Sequence, residues 1–229
     1  MHSLNTKLLA ATSFAGLLLA TNLFALDLKV VDKPPPEALA EDIRAKLQGK
    51  AIQLLNGTNA AFEFWLVSEL QVTTKPAGLA KALDSVATAT LLGAVNVPKQ
   101  RRDYRDDPLP AGVHTMRLVL QPQDGNHLGT AEFNWFAALV PASLDPKPDA
   151  IKDYKSLVSA SSKLTVTDHP VVISLRPATE DGTAPKLFTP VEEHKSVRVS
   201  IPVRVGGKDE KEEKASLIFE IVYEGKGHK

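Results

Sequence analysis

Hydrophobic and polar residues alternate most strictly toward the C-terminal end of the chain. Val197, Val199, Ile201, Val203 and Val205 alternate with Ser196, Arg198, Ser200, Pro202 and Arg204. After a loop at Gly206–Lys214, Leu217, Phe219, Ile221 and Tyr223 alternate with residues that include Ser216, Glu220 and Glu224. A period of two marks a strand with one face in a core and the other in water, so two half-buried antiparallel strands are predicted. Pro202, on the polar face, makes its strand an edge or the site of a bulge.

The same period recurs upstream. Ala51–Leu55 and Ala61–Val67 flank Asn56-Gly57, the strongest short hairpin signal, and Phe62, Phe64 and Leu66 alternate with Glu63 and Trp65. Further strands are predicted at Leu26–Val31, Thr88–Val97, Val113–Leu120, Phe133–Val140 and Val171–Leu175. Helical spacing is rarer. Leu39, Ile43 and Leu47, after Pro34-Pro35-Pro36 and before Gly49, predict an amphipathic helix at about 37–48. Leu79, Leu83 and Val86 predict one short turn, and Asp149 is placed to cap a piece in which Ile151, Tyr154 and Val158 share a face. With roughly eight or nine strands at regular spacing, the expected fold is mainly β. It is read as an antiparallel β-sandwich, immunoglobulin-like or jelly-roll-like, with two or three short helices in a single domain over residues 26–229.

The N-terminus changes the setting. Leu8–Ala20 is apolar but too short to cross a bilayer of about 30 Å, and Lys7 precedes it. Residues 1–25 therefore read as a signal peptide ending at Ala25, with Leu23 larger than the usual residue three positions before a cleavage site. The expected location is secreted or periplasmic. Removing that segment takes Lys7 from 27 basic residues and leaves the 27 acidic ones, a formal net charge of −1. Such a balance gives no footprint for nucleic acid. Nothing after Ala25 is apolar for long enough to form a transmembrane segment. The absence of cysteine excludes disulfides, thiolate metal sites and cysteine nucleophiles, so burial alone must stabilise the chain.

The densest polar cluster is the loop 121–130, between two predicted strands and hence at one end of the sandwich. Gln121, Gln123, Asp124, Asn126 and His127 are the candidate ligand-binding residues, offering amides, a carboxylate and an imidazole within a short span. The competing reading is a plain turn, with Asp124-Gly125 supplying its geometry. A metal site using His127, Asp124 and His169 is the alternative, although no metal-ligand spacing such as HxH or HExxH occurs. His114 shares a face with Met116, Leu118 and Leu120 and reads as a core histidine. No nucleophile elbow, phosphate loop or facing carboxylate pair is present, so no catalytic residue and no cofactor are expected. The mixed-charge run Lys99–Asp107, with Tyr104, is a docking loop or a solvated turn, and Asp209–Lys214 a solvated turn. Trp65 and Trp135 are core residues or, if exposed, a carbohydrate platform.

Asp107–Arg117, Leu120–Thr130 and Leu139–Ala142, together with Glu63-Phe64-Trp65 and His169-Pro170, resemble an uncharacterised family of exported proteins from planctomycete-type bacteria. The resemblance implies export and a β-rich fold but no reaction. It also implies an aromatic residue at the position of His114 and marks the loop 121–130 as a family signature. The expectation is an exported, non-catalytic module that binds an unknown protein or small ligand.

Overall fold

The computed structural model describes residues 26–72, 74–103, 107–122, 133–166, 169–180, 182–188, 194–206 and 213–224. Residues 1–25, expected to be a signal peptide, most of the loop 121–130, Tyr104 and most of the segment Asp209–Lys214, expected to be a turn, lie outside them. In chain order the strands are β1 (Asp27–Asp32), β2 (Lys50–Asn56), β3 (Asn59–Leu66), β4 (Leu70–Val72), β5 (Leu91–Val97), β6 (Arg101–Arg102), β7 (Pro108–Leu109) and β8 (Gly112–Leu120). They continue with β9 (Trp135–Pro141), β10 (Val172–Pro177), β11 (Lys186–Phe188), β12 (Lys195–Val205) and β13 (Glu213–Glu224). Among the described residues there are two α-helical segments, α1 (Glu41–Arg44) and α2 (Tyr154–Ser161), and a 3₁₀ segment spans Leu79–Ser85.

Eleven of the described strands share one hydrogen-bonded sheet, ordered β1-β2-β3-β5-β8-β9-β10-β13-β12-β11, with β4 joined to β12. The β4–β12 pair is parallel and the others are antiparallel, so the sheet is mixed. It curls back on itself. Phe62 of β3 and Tyr223 of β13 lie five steps apart along that order, a path of about 24 Å at the usual strand spacing, yet their rings are 6.3 Å apart. The inner face of the curl is the main core, with Phe62, Phe64, Leu118, Val199, Ile201, Phe219 and Ile221 all nearly inaccessible.

The hairpin at Asn56-Gly57 forms as its sequence requires, with Gly57 at φ +62°. β12 and β13 pair antiparallel, as expected, in a register running from Ser196↔Val222 to Val205↔Glu213. On its other edge β12 pairs with β11 at Ser196–Arg198 and with β4 at Val203–Val205, and Pro202 falls between them. The bulge is at Lys195/Ser196 rather than at Pro202.

Three expectations are corrected. The helix at about 37–48 shrinks to Glu41–Arg44, although Leu39, Ile43 and Leu47 are all buried as the spacing requires. Leu47 leaves the helix to bridge Val67, and Gln48 N–H donates to the Leu66 carbonyl at 2.8 Å, so sheet pairing replaces the last helical turn. The cap of α2 is Asp153, not Asp149, because its carboxylate accepts from Ser156 N–H at 2.9 Å. Those bonds to Ser156 hold the Asp153 carboxyl below its ordinary range. The buried face of α2 is carried by Leu157, while Tyr154 is exposed. Finally, the polar face of β12–β13 is solvated at only one end: Ser196, Arg198 and Glu220 are at most 1 % exposed.

That outer face is covered in other places too. Leu157 of α2, with Ile151, packs on Val119, Phe136, Ala138, Val140 and Val172 of β8–β10, forming a second, smaller core. Polar residues enclosed on this face meet partners across the strands. Glu63 stands between Gln53 and Asn96 in register and accepts from Gln53 Nε2 (2.7 Å), Asn96 Nδ2 (2.9 Å) and Lys33 Nζ (2.6 Å). Burial pushes the Glu63 carboxyl up, and the bonds from Lys33, Asn96 and Gln53 bring it below its ordinary value.

Arg117 is the most enclosed case. Its Nε and Nη2 hold both oxygens of Asp145 at 2.7 Å, and both side chains are fully buried. Its remaining donors reach the carbonyls of Ala89, Pro148 and Lys147, so all five N–H groups are used. Thr115 donates to Asp145 as well. Ala89 sits at φ +69°, a left-handed conformation costing about 1 kcal/mol for a residue with a side chain. Its carbonyl is held there by Arg117 at 2.7 Å and its N–H by the Leu118 carbonyl at 2.7 Å.

At Gly93 the backbone of β3 leaves no room for a side chain: a Cβ there would run into the Trp65 carbonyl oxygen. Because that obstacle is backbone, Gly93→Ala must separate the two strands. Urea unfolding is expected to show a loss of about 2 kcal/mol or more, and a loss below about 0.5 kcal/mol would contradict the close approach.

Candidate cleft on the outer face of the sheet

The smaller core on the outer face is not covered to its end. Beyond α2 the sheet opens into a cleft of about 530 Å³. Its floor is Val119 of β8, Phe136 of β9 and Val172 of β10, three neighbouring strands whose even alternation turns these side chains to one side. One wall is the β6–β7 hairpin with Asp103, Asp107, Leu109 and Pro110. The other is Tyr154 at the start of α2, followed by Leu164, Thr165 and Val166, with His169 and Pro170 beyond. Val166 is fully exposed at the rim.

The volume falls in the range of small-molecule sites, and the mix of an apolar floor with a few polar groups is the usual lining of such sites. The polar groups are Gln100, Asp103, Asp107, Gln121, Tyr154, Thr165 and His169. Across the β6–β7 hairpin, Asp107 N–H donates to Asp103 Oδ1 and Asp103 N–H to the Asp107 carbonyl, each at 2.9 Å. Asp103 therefore shapes the wall through its own backbone contacts.

Of the residues singled out in the loop 121–130, Gln121 lies in this cleft. It is buried, and its N–H donates to the Asn134 carbonyl at 2.8 Å. Gln123, Asp124, Asn126 and His127 lie outside the described residues. His169, named for the metal alternative, lines the same cleft as Gln121. Among the described residues no group of three or more His, Asp or Glu side chains is arranged to hold a metal ion.

The remaining sequence candidates have structural places. Trp65 is buried, with its indole N–H on the Lys33 carbonyl at 2.9 Å and the Lys33 ammonium 5.7 Å from its ring. Trp135 is half-buried and donates to Asp84 at 3.0 Å. Neither forms an open platform. His114 is a core histidine, as its face implies: it is 3 % exposed, and Nε2 donates to the Pro110 carbonyl at 3.1 Å. Its Nδ1 is buried with no hydrogen-bond partner among the described residues.

Three features of the outer face escape sequence reading: the cleft itself, the Arg117–Asp145 clasp and a row of charges formed by Arg176, Glu220 and Arg198. The cleft joins residues from four separate stretches of chain, and no local pattern announces it. For the charge pairs, a weak signal exists in the isolated charges within otherwise apolar strands, such as Arg117 between Met116 and Leu118.

No family model matches the chain, and no curated protein or solved structure is similar to it.

Burial depresses the His114 pKa below its ordinary value, because the imidazolium would have to form away from water. The unfolded chain then binds the proton more readily, so the contribution of this group to stability is present above about pH 6.5 and is lost as the pH falls through that region. Urea midpoints measured from pH 7.5 to 5 should fall less steeply in His114→Phe than in the wild-type protein. Parallel slopes would show that His114 binds its proton equally in the folded and unfolded chains, contradicting the depressed pKa.

Proposed function

We propose that this protein is an exported, non-catalytic binding module that takes a small ligand in the outer-face cleft. The observation that carries the reading is the cleft of about 530 Å³ over Val119, Phe136 and Val172, rimmed by Gln121 and His169. An apolar floor takes the body of a ligand by excluding water, and the rim groups orient it by hydrogen bonds. The leading segment 1–25, with its short apolar run, supports export to the periplasm or beyond. The motif around Asp107–Ala142 supports kinship with exported proteins of planctomycete-type bacteria, and β8 and β9 of the cleft floor come from that block. The Phe62–Tyr223 contact supports reading the two halves of the curled sheet as the layers of a β-sandwich.

A neutral apolar dye tests the site without appealing to charge. Nile red should bind the folded protein with a stoichiometry of one. Val172→Phe, which fills the floor, and Val166→Asp, which makes the exposed rim polar, should each weaken binding about tenfold, close to the worth of one apolar contact. Both variants are checked for an unchanged circular dichroism spectrum. Equal dye affinity in both folded variants would remove the cleft as the ligand site.

A further inference from the structure

Arg176, Glu220 and Arg198 stand directly opposite one another on β10, β13 and β12. Glu220 is fully buried, Arg198 is 1 % exposed and the Arg176 side chain 12 %. Two guanidinium groups therefore share one carboxylate in a site nearly closed to water. Most of that carboxylate is already spent: Oε2 accepts from Arg176 Nε at 3.0 Å, from Arg176 Nη2 and from Ser196 Oγ at 2.8 Å. Arg198 reaches only Oε1, through Nη2, at 3.1 Å.

The rest of Arg198 is poorly served. Its Nε is buried with no hydrogen-bond partner among the described residues, and its Nη1 reaches Glu180 at a long 3.4 Å. Glu180 is itself 61 % exposed, and an ion pair of that length and exposure contributes little. Arg117 shows what this same sheet face does with an arginine whose role is structural: every donor is used. Arg198 departs from that pattern, and Lys186, opposite it on β11, adds positive charge rather than cancelling it.

We propose that the Arg176–Glu220–Arg198 row is a binding site for a small oxyanion, a carboxylate or phosphate group, whose place beside Arg198 is held by Glu180 in the free protein. The Phe188 ring lies 4.9 Å from the Arg198 guanidinium and 5.5 Å from that of Arg176, fixing both planes. A planar, preset guanidinium in a water-poor site is suited to charge-assisted bonds with an oxyanion. The backbone at Gly182 passes close enough that a Cβ there would sit 3.2 Å from Arg198 Nη1, so the Glu180 side chain is tethered next to the group it covers. The incoming anion displaces this exposed carboxylate and takes the bond that it makes weakly. The site is separate from the cleft, because Ser174, fully buried, lies between Val172 and Arg176 on β10.

Melting curves of the full chain with added inorganic phosphate, acetate or chloride at constant ionic strength provide the test. Phosphate or acetate should raise the melting temperature saturably while chloride does not, and whichever oxyanion acts identifies the group recognised. Glu180→Gln, a change at an exposed side chain, should tighten that binding at least threefold by removing the internal competitor. Arg198→Lys, which keeps the charge but lacks Nε, should weaken it at least tenfold; if that variant fails to fold, Glu180→Gln decides alone. Equal effects of all three anions, or unchanged or weaker oxyanion binding in Glu180→Gln, would overturn the proposal.

Discussion

A sheet buried on both faces must provide for any charge it carries, and this requirement organises the molecule. The inner face of the curl is apolar and is stabilised by exclusion of water alone. The outer face is partly covered by α2, by the chain around Lys33 and by the Phe188 ring, yet it bears Glu63, Arg117 and Glu220 in mid-strand. Taking any of them out of water unpaired would cost several kcal/mol or more. Each instead meets donors or acceptors on neighbouring strands or on the adjoining chain. Gln53 and Asn96 flank Glu63, Arg176 and Arg198 flank Glu220, and Asp145 closes on Arg117.

These pairs do more than neutralise charge. A strand that slips by one residue exchanges its two faces, so a carboxylate that finds its donors only in one register opposes slippage. Glu63 and Glu220 play this part in opposite halves of the sheet, each in the middle strand of three. Arg117 extends the same principle to covering chain: it draws in the carbonyls of Lys147 and Pro148, just ahead of α2, and thereby helps to seat the helix whose far end leaves the cleft open. The cleft is thus a consequence of how the outer face is covered, since its floor continues the apolar layer under Leu157.

Much of this architecture was legible in the sequence, and the failures are instructive. Strict alternation located β12 and β13 and their antiparallel pairing, because the period depends only on the local backbone. It misjudged their outer face because alternation records polarity, not exposure. Ser196, Arg198 and Glu220 are polar residues in a buried place, and the rings beside this row, Phe133 and Phe188, come from outside β12 and β13. The apolar stripe of Leu39, Ile43 and Leu47 was read correctly as buried, but its helix was overextended, since the pairing that claims Leu47 is made with Val67. Continuity of the sheet could not be read either: β4 follows β3 in the chain but joins β12. At the candidate site, Gln121 and His169 were named from composition, whereas Val119, Phe136 and Val172 beneath them become a floor only through the pairing of β8, β9 and β10.

The central claim is that charges on the covered face act as mutually dependent pairs rather than as solvated decoration. A double-mutant cycle on Arg117 and Asp145, read by urea unfolding, tests it most directly. Arg117→Met and Asp145→Leu should each cost about 3–5 kcal/mol, and the double variant should recover at least about 2 kcal/mol of their sum, because the second change removes the charge stranded by the first. Additive losses, each below about 1 kcal/mol as for an exposed pair, would contradict the account.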